Sequence, residues 1–337
     1  MNRIDLTTWG WSPHFERAFT PWQRTGQLPA RVIRGEKNYF RVISPHGELT
    51  VRFAGKIRHR ADGRPGLPVV GDWVVVAPQP QQRGTIIALL ERVNSFSRNL
   101  PGRRKGKSQR FEEQVIAANV DLVLIVCGLD RDYNLRRIER YLTLVSGSGA
   151  TGIVVLNKSD LHPDAEACRA EVRAIAGTTP VLLLTAKDPQ QPAILQSYLK
   201  RGQTVALLGS SGVGKSTIVN ALLGEQRQKV GEVSSSDGKG RHTTTHRELI
   251  LLPGGAILMD NPGMRELHLW GEQDDLEESF ADILELARNC RFRNCTHQHE
   301  PGCAVLRATA AGLLDDDRLA GYHKLKDELE TLHKLKH

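Results

Sequence analysis

The 337-residue sequence predicts an α/β multidomain protein: a small β-barrel, then a doubly wound sheet, then a helical part. Short β-rich runs within residues 28–90 predict the barrel, because Gly, Pro and charged turns separate them. Buried strands alternate with helical segments over residues 120–259, and helical periodicity surrounds a cysteine cluster after residue 276. The predicted boundaries are residues 1–97 for an N-terminal extension and the barrel, 98–112 for a basic linker, 113–272 for the central domain and 273–337 for the C-terminal domain.

The composition is that of a folded, soluble chain, with 39% hydrophobic and 25% charged residues. No apolar run reaches the roughly 18 residues that cross a bilayer. The N-terminus carries charges and tryptophans where a secretory signal would be apolar. We therefore expect a cytoplasmic protein with no membrane partner. No long coiled coil is visible in the sequence, so a monomer is the default expectation.

The first third of the chain is strongly basic. Residues 1–110 contain 20 Lys and Arg against 7 Asp and Glu, a net charge of +13, whereas the remaining residues have 26 against 31, or −5. The β-rich runs in this part predict a five-stranded barrel of the OB type, a closed fold that often binds oligonucleotides. Both an RNA contact and a merely solvated basic loop fit the cations that follow the third run, which are Lys56, Arg58, His59, Arg60 and Arg64.

A phosphate-binding loop lies in the central domain. The segment from Gly209 to Ser216 fits G-x-x-x-x-G-K-[ST] between an apolar strand and a helix, as that motif requires. Its backbone N–H groups would wrap phosphates, Lys215 would reach the β- and γ-phosphates, and the Ser216 hydroxyl would bind Mg²⁺. The predicted phosphate site comprises Gly209, Ser210, Ser211, Gly212, Val213, Gly214, Lys215, Ser216 and Thr217.

A base-recognition motif precedes this loop. The Asp160 carboxylate can accept from both N1–H and the exocyclic amine of guanine, whereas adenine would leave it unpaired. GTP and GDP are therefore preferred over adenine nucleotides. Asn157 would add polar contacts, Lys158 would lie over the ring, and the loop after the next strand would offer a backbone N–H to the guanine oxygen. The predicted base site comprises Asn157, Lys158, Ser159, Asp160, Thr185 and Ala186.

The segment from Asp260 to Gly263 fits D-x-x-G, in which the Asp holds Mg²⁺ through water and the Gly N–H senses the γ-phosphate. A glycine-rich stretch before it offers three threonines as Mg²⁺ ligands, and the choice among Thr244, Thr243 and Thr245 stays open. The alternative is that this stretch is only a threonine-rich turn without a role in Mg²⁺ binding.

The order of the motifs is unusual. The base-recognition motif comes before the phosphate-binding loop here, whereas it comes after that loop in ordinary small GTPases. The sequence therefore predicts a circularly permuted P-loop GTPase.

Catalysis is less well specified than binding. Met264 follows Gly263, where many small GTPases have the Gln that orients the attacking water, and a thioether cannot do this. Slow intrinsic hydrolysis is therefore expected. His242 is our candidate for positioning water or relaying a proton, although a loop histidine that docks on RNA fits as well. His246 is a weaker candidate for the same role.

The spacing C-x4-C-x-H-x5-C in the C-terminal part predicts a closed, structural Zn²⁺ site. Its ligands are Cys290, Cys295, His297 and Cys303, and His299 lies close by. Cys127 and Cys168 are interpreted as ordinary buried thiols. The five cysteines are an odd number in a chain without an export signal, which argues against a disulfide framework.

Together these features resemble the circularly permuted ribosome small-subunit-dependent GTPase A family, RsgA or YjeQ. Nearly the whole chain carries the resemblance, because the motifs above occur in the family's order together with Glu113–Asp121, Gly240–Thr245 and Asp260–Glu266. The resemblance implies a slow GTPase that the small (30S) ribosomal subunit stimulates, that contacts 16S rRNA and that acts late in subunit maturation. It also implies His297 as the zinc ligand. Asn261 departs from the Ser or Thr of many relatives.

Two alternatives stay open at this point. An RNA-binding assembly chaperone could use GTP mainly as a sensed ligand, which the absence of the water-orienting Gln favours. A GTPase of another partner, such as a membrane surface, would use the basic first third equally well by charge.

Overall fold

The computed structural model describes most of the chain. The described residues are 3–23, 26–36, 39–53, 66–101, 111–130, 133–188, 191–210, 212–224, 247–260, 280–292, 294–316, 318–320, 322, 323 and 326.

Five strands form the N-terminal barrel: β1 (Leu28–Gly35), β2 (Phe40–Ser44), β3 (Gly47–Phe53), β4 (Trp73–Gln79) and β5 (Arg83–Leu89). β1 pairs antiparallel with β2, β2 with β3, and β4 with β5, whereas β3 and β5 run parallel. The antiparallel pairing of β1 with β4 closes the ring. Val32, Val51 and Ile86 are fully buried inside it. This strand order confirms the predicted OB-type barrel.

The N-terminal extension covers one side of the barrel. It contains the helix α1 (Pro13–Phe19) between single 3₁₀ turns at Leu6–Trp9 and Thr20–Trp22. Phe15 and Phe19 pack with the fully buried Trp73 of β4, and the rings of Trp11 and Trp73 meet edge to face at 4.7 Å. Aromatic burial of this kind stabilises the extension against the barrel wall.

A hairpin follows the barrel. β6 (Ser95–Pro101) pairs antiparallel with β7 (Phe111–Ala118), so both ends of the linker predicted over 98–112 are strand residues. The strands extend that far because Phe96 and Ile116 are buried and the ladder continues beyond them. Residues 102–110 lie outside the described part of the chain, and the domain boundaries stay a prediction.

Among its described residues, the central domain has a sheet of six strands: β8 (Leu122–Gly128), β9 (Thr151–Asn157), β10 (Val181–Leu184), β11 (Thr204–Leu208), β12 (Arg247–Leu251) and β13 (Ile257–Asp260). Their order is β10-β9-β8-β11-β13-β12, parallel except for β12. The helices are α2 (Leu135–Ser148), α3 (Ala165–Ala176), α4 (Pro192–Gln196) and α5 (Lys215–Leu223).

Alternate residues of β8 enter different cores. Val123 and Ile125 pack in the cluster that contains Val172 of α3, whereas Leu124 and Val126 pack in the cluster that contains Ile218 of α5. Two covered faces explain why this strand is continuously apolar, and they confirm the predicted doubly wound sheet. β12 also pairs antiparallel with β1, so the barrel and the central domain share one 11-stranded sheet.

The C-terminal domain contains α6 (Ala281–Ala287) and α7 (Ala304–Ala310). Its core joins Ile283, Val305 and Tyr322 to two of the cysteines. A helix is predicted over Arg318–Lys336, and its described residues are helical as far as 326. Among the described residues, none of the helices has both the length and the apolar character that a membrane span needs.

Candidate nucleotide site and metal centre

The phosphate loop and the base motif lie at the same edge of the sheet. β8, β9 and β11 are parallel neighbours, so their carboxyl ends meet there. Gly209 directly follows β11, and Asn157 is the last residue of β9. The structure therefore brings together the two motifs that the sequence places about 50 residues apart.

Two glycines of the phosphate loop lie so close to neighbouring residues that a side chain would not fit there. Gly209 has φ +150°, and a Cβ built there would lie 2.1 Å from the carbonyl oxygen of Val126. Gly214 has φ +98°, and its Cβ would lie 2.2 Å from Nδ2 of Asn157. Both values are below any real Cβ contact, so a side chain at either position would push the loop away from the sheet. The motif glycines thus hold the loop close to its neighbours.

Lys215 is buried at the first turn of α5, with 8% of the residue exposed. Its Nζ donates to the carbonyl oxygen of Gly209 at 2.6 Å and also to that of Ser210. The ammonium is thereby held inside the loop, where phosphate oxygens can replace the carbonyls as acceptors. Ser216 and Thr217 follow it on the same helix.

Asn157 links the phosphate loop to the loop after β10. Its Nδ2 donates to the carbonyl oxygen of Val213 at 2.8 Å, and its Oδ1 accepts the N–H of Ala186 at 2.9 Å. Only 2% of the residue is exposed, and each end of its amide has a hydrogen-bond partner, as buried polar groups require. Asn157 was predicted to contact the base, and in this structure it braces the two loops that would surround the nucleotide.

Of the other base-site residues, Ala186 is buried and the rest are more exposed. Ser159 Oγ and Thr185 Oγ1 lie 3.0 Å apart, and the Asp160 side chain faces solvent. Sequence reasoning missed two neighbours. Gln191 Oε1 accepts the N–H of Thr185 at 2.6 Å, and Asp130 forms an ion pair with Lys158. The only available signal for Asp130 was its place two residues beyond a buried strand.

Several predicted site residues lie outside the described part of the chain. Asp260 ends β13, within the described residues. The predicted roles of the others stay predictions; they are Ser211, His242, Thr243, Thr244, Thr245, His246, Asn261, Gly263 and Met264. The same holds for the basic loop cations Lys56, Arg58, His59, Arg60 and Arg64.

Cys290, Cys295, His297 and Cys303 form a cluster whose candidate ligand atoms all lie within 4.8 Å of one another. Cys290 Sγ is 3.8 Å from Cys303 Sγ and 3.7 Å from His297 Nδ1. A tetrahedron with bonds of about 2.3 Å has edges of about 3.8 Å, so the cluster has the size of a closed Zn²⁺ site. The residues can hold a metal ion, and the metal-binding cluster includes His297 rather than His299.

The cluster is supported by its surroundings. The N–H groups of Ala304 and Leu306 donate to Cys290 Sγ at 3.3 Å and to Cys303 Sγ at 3.4 Å. Burial lowers the pKa of His297, which favours the neutral imidazole that a metal ligand needs. Glu300 accepts the backbone N–H groups of Thr296, Gln298 and His299, at 2.7, 3.1 and 3.2 Å. Ligand loops held in this way keep their geometry before the ion binds.

Comparison with known proteins agrees with this geometry. A family model described as RsgA GTPase matches residues 89–270. The small ribosomal subunit biogenesis GTPase RsgA of Opitutus terrae is 49% identical over 335 residues, which cover 96% of this chain and 90% of that protein. The chain belongs to the RsgA GTPase family. It is therefore a GTPase. The RsgA of Syntrophotalea carbinolica is 47% identical over 97% of this chain and 90% of its own length.

Two solved structures are similar to this chain in fold. YjeQ from Thermotoga maritima matches with a TM-score of 0.54 and 27% identity, over 90% of this chain and 98% of that one. YloQ, described as a circularly permuted GTPase, matches with a TM-score of 0.50 and 24% identity over 92% and 97% of the two chains, which supports the fold. The order of the loops here, with the base motif before the phosphate loop, confirms the predicted permutation.

Proposed function

We propose that this RsgA-family GTPase binds the small ribosomal subunit and its 16S rRNA and assists late maturation of the subunit. The observation that carries this proposal is the similarity, over nearly the full length, to relatives named for small ribosomal subunit biogenesis. The OB-type barrel and the net charge of +13 in residues 1–110 support an RNA-binding role. Intrinsic hydrolysis would be slow, and the bound subunit would stimulate it.

Guanine recognition is assigned to the loops after β9 and β10. Asp160 would accept from N1–H and the 2-amino group, Lys158 would lie over the ring, and Ser159, Thr185 and Ala186 would complete the pocket. In this structure the Ala186 N–H is donated to Asn157, so a guanine oxygen would share that donor. The exposure of Asp160 supports the assignment, because its carboxylate is accessible to a ligand.

Phosphate binding is assigned to the loop from Gly209 to Thr217. Lys215 would exchange its present carbonyl partners for β- and γ-phosphate oxygens. Ser216 and one of Thr243, Thr244 and Thr245 would hold Mg²⁺ directly, and Asp260 would hold it through water. The bound ion would neutralise charge on the phosphate oxygens during transfer. Gly263 would sense the γ-phosphate.

Water activation is assigned to His242, since Met264 occupies the usual place of Gln. GTP contacts with the switch threonines and with Gly263 would favour the subunit-bound state, and hydrolysis would release the protein from the subunit.

The second candidate function is an RNA-binding assembly chaperone in which GTP is only sensed. The same Met264 favours it. A GTP-binding variant without hydrolysis that still completed maturation would support that alternative.

The metal centre is assigned to one structural Zn²⁺ per chain, held by Cys290, Cys295, His297 and Cys303. Three soft thiolates and an imidazole form the donor set that zinc prefers in closed sites. We further propose that the protein is a cytoplasmic monomer, with domains that end near residues 97, 112 and 272.

The first test is GTP turnover by the purified protein at fixed salt, with and without isolated small ribosomal subunits. We expect a large rise with GTP and small subunits, and none with ATP or with large subunits. Equal stimulation by both subunits, or none by either, would contradict the proposed partner.

The base pocket has its own test in Asp160→Asn. An Asn amide accepts from N1–H of xanthine and donates to its 2-oxygen, whereas it meets the 2-amino group of guanine with a second donor. We expect the Kd for GDP to rise by at least tenfold and the Kd for xanthosine diphosphate to fall. Unchanged affinity for GDP would contradict the assigned pocket.

A further inference from the structure

Asp130 is an acidic residue at the edge of the proposed base pocket, outside all of the motifs described above. We propose that Asp130 is a positioning residue that holds Lys158 for contact with the guanine ring; this inference rests on the proposed nucleotide site. The ion pair between its Oδ2 and the Nζ of Lys158 is the contact that carries it.

The topology of the sheet makes this pairing possible. β8 ends at Gly128 and β9 at Asn157, and these two residues are direct partners in the parallel ladder. The N–H of Leu129 continues the pairing by donating to the carbonyl oxygen of Asn157 at 2.8 Å. Asp130 and Lys158 thus leave neighbouring strands at the same height, and their side chains meet above the edge.

The backbone on both sides is adapted to the contact. Lys158 has φ +60° and ψ +36°, a left-handed conformation that is unfavourable for a residue other than glycine. An observed outlier of this kind at a pocket edge indicates a functional constraint. On the other strand, a Cβ at Gly128 would lie 2.6 Å from Oδ1 of Asp130. The carboxylate therefore lies close to the α-carbon of Gly128, and a side chain at that position would have to displace it.

The ion pair with Asp130 keeps the ammonium of Lys158 away from the carboxylate of Asp160. Lys158 and Asp160 are two residues apart, and an ammonium bound to Asp160 would occupy the carboxylate that reads guanine. Asp130 binds that ammonium, and within the described residues Asp160 forms no ion pair. The side chains of Lys158 and Asp130 are 30% and 29% exposed, so the pair is half-buried and partly shielded from salt.

Holding Lys158 before the nucleotide arrives also lowers the entropic cost of binding. A free lysine side chain has many rotamers. Fixing such a side chain when the ligand binds costs conformational entropy and so reduces the affinity. With the ammonium anchored, the four-carbon stem of Lys158 is available as a fixed surface for the face of the base. Asp130 would therefore increase the affinity for GDP and GTP by the same factor, because it acts through the guanine base, which the two nucleotides share.

The test uses the full chain with its metal and measures Kd for fluorescent GDP and GTP. We expect Asp130→Ala and Asp130→Asn to raise both Kd values about three- to fivefold, as loss of a half-exposed ion pair predicts. Asp130→Glu should recover most of the affinity. Gly128→Ala should act like Asp130→Ala, because the new methyl displaces the carboxylate without removing its charge. Glu139→Gln, at an exposed carboxylate of α2, is the matched control and should change neither value.

A double-mutant cycle separates positioning from a general structural role. If Asp130 acts through Lys158, the double variant with Lys158→Met and Asp130→Ala binds no more weakly than Lys158→Met alone. Full additivity, or unchanged Kd values in Asp130→Ala, would overturn the inference. Asp160→Asn distinguishes this failure from failure of the nucleotide site: if it leaves the affinity for GDP intact, the site itself is wrong and the inference falls with it.

Discussion

Arg31 of the barrel donates a hydrogen bond from Nη2 to Oγ1 of Thr204 in the central sheet, at 2.7 Å. Thr204 begins β11, the strand that leads to the phosphate loop. The same guanidinium donates to the carbonyl oxygens of Trp9 at 2.5 Å and Asn119 at 3.1 Å. One side chain therefore joins the N-terminal extension, the barrel and the nucleotide-binding sheet.

Arg31 is 99% shielded from solvent and remains a cation there. Burial lowers its pKa to about 10, and the carboxylates of Asp121 and Asp72 oppose that shift. At neutral pH the group is thus charged, fully desolvated and dependent on its acceptors. The junction between the barrel and the sheet is therefore a polar one, in which the loss of one group leaves others unpaired.

We expect Arg31→Met to lower the free energy of unfolding by about 3 kcal/mol, because it leaves buried carbonyls and Asp121 without their cationic partner. Denaturant unfolding at neutral pH measures this. Arg31→Lys keeps the charge but not the forked donors, and should cost less than Met. Arg41→Met removes an exposed partner of Glu48 and should change stability by less than about 1 kcal/mol. Equal effects at the two sites would contradict the buried junction.

Replacement of Asn157 is expected to weaken nucleotide binding as well as folding. Asn157→Ala removes the bonds to Val213 and Ala186, and each buried bond is worth about 1 kcal/mol net. We expect unfolding to become easier by about 2 kcal/mol and the Kd for GDP to rise about tenfold. Asn157→Asp should bind no better, since a carboxylate oxygen would face the Val213 carbonyl.

Asn94→Ala is the control for that variant. Asn94 also uses both ends of its amide, donating to the carbonyl oxygen of Val120 at 2.7 Å and accepting its N–H at 2.9 Å, but away from the phosphate loop. It should reduce stability without a change in the Kd for GDP. An equal loss of nucleotide affinity in both variants would show that Asn157 acts only through folding.

Removal of the metal should unfold the C-terminal domain selectively. Cys295 and Cys303 belong to its core together with Ile283 and Val305, so a strong chelator or Cys303→Ser takes ligands and core contacts away together. We expect one zinc per chain by elemental measurement, and loss of helical circular dichroism on chelation. Cys127→Ser should keep the full zinc content. Unchanged spectra after complete chelation would contradict a structural role for the ion.

Glu300 should control how tightly that metal is held. Hydrogen bonds from the hydroxyl and the N–H of Thr296 keep the pKa of Glu300 far below its usual range, so the group is an anion that orders the ligand loop. Glu300→Ala is expected to weaken zinc affinity about 10- to 100-fold in competition with a chromophoric chelator. Glu285→Gln, on the exposed side of α6, is the control and should leave the affinity unchanged.

Much of the fold was predictable because its signals are local. The alternation of buried strands with helices that the sequence predicts over residues 120–259 is the alternation that the structure has from β8 to β13. The predicted linker overlaps the hairpin of β6 and β7, since its Gly, Pro and basic residues resemble a loop in composition. The pairing of the two strands, which composition does not reveal, extends the hairpin into both ends of the predicted linker.

Residue type and spacing along the chain are enough to predict the phosphate loop, the guanine-binding motif, the metal ligands and their permuted order. Which side chains support these sites depends on the tertiary structure. Asn157 as a brace, Asp130 beside Lys158 and Arg31 beside Thr204 are contacts between residues 28 to 173 positions apart, or between strand ends that meet only in the sheet. Such contacts follow from strand order and burial, which no local pattern encodes.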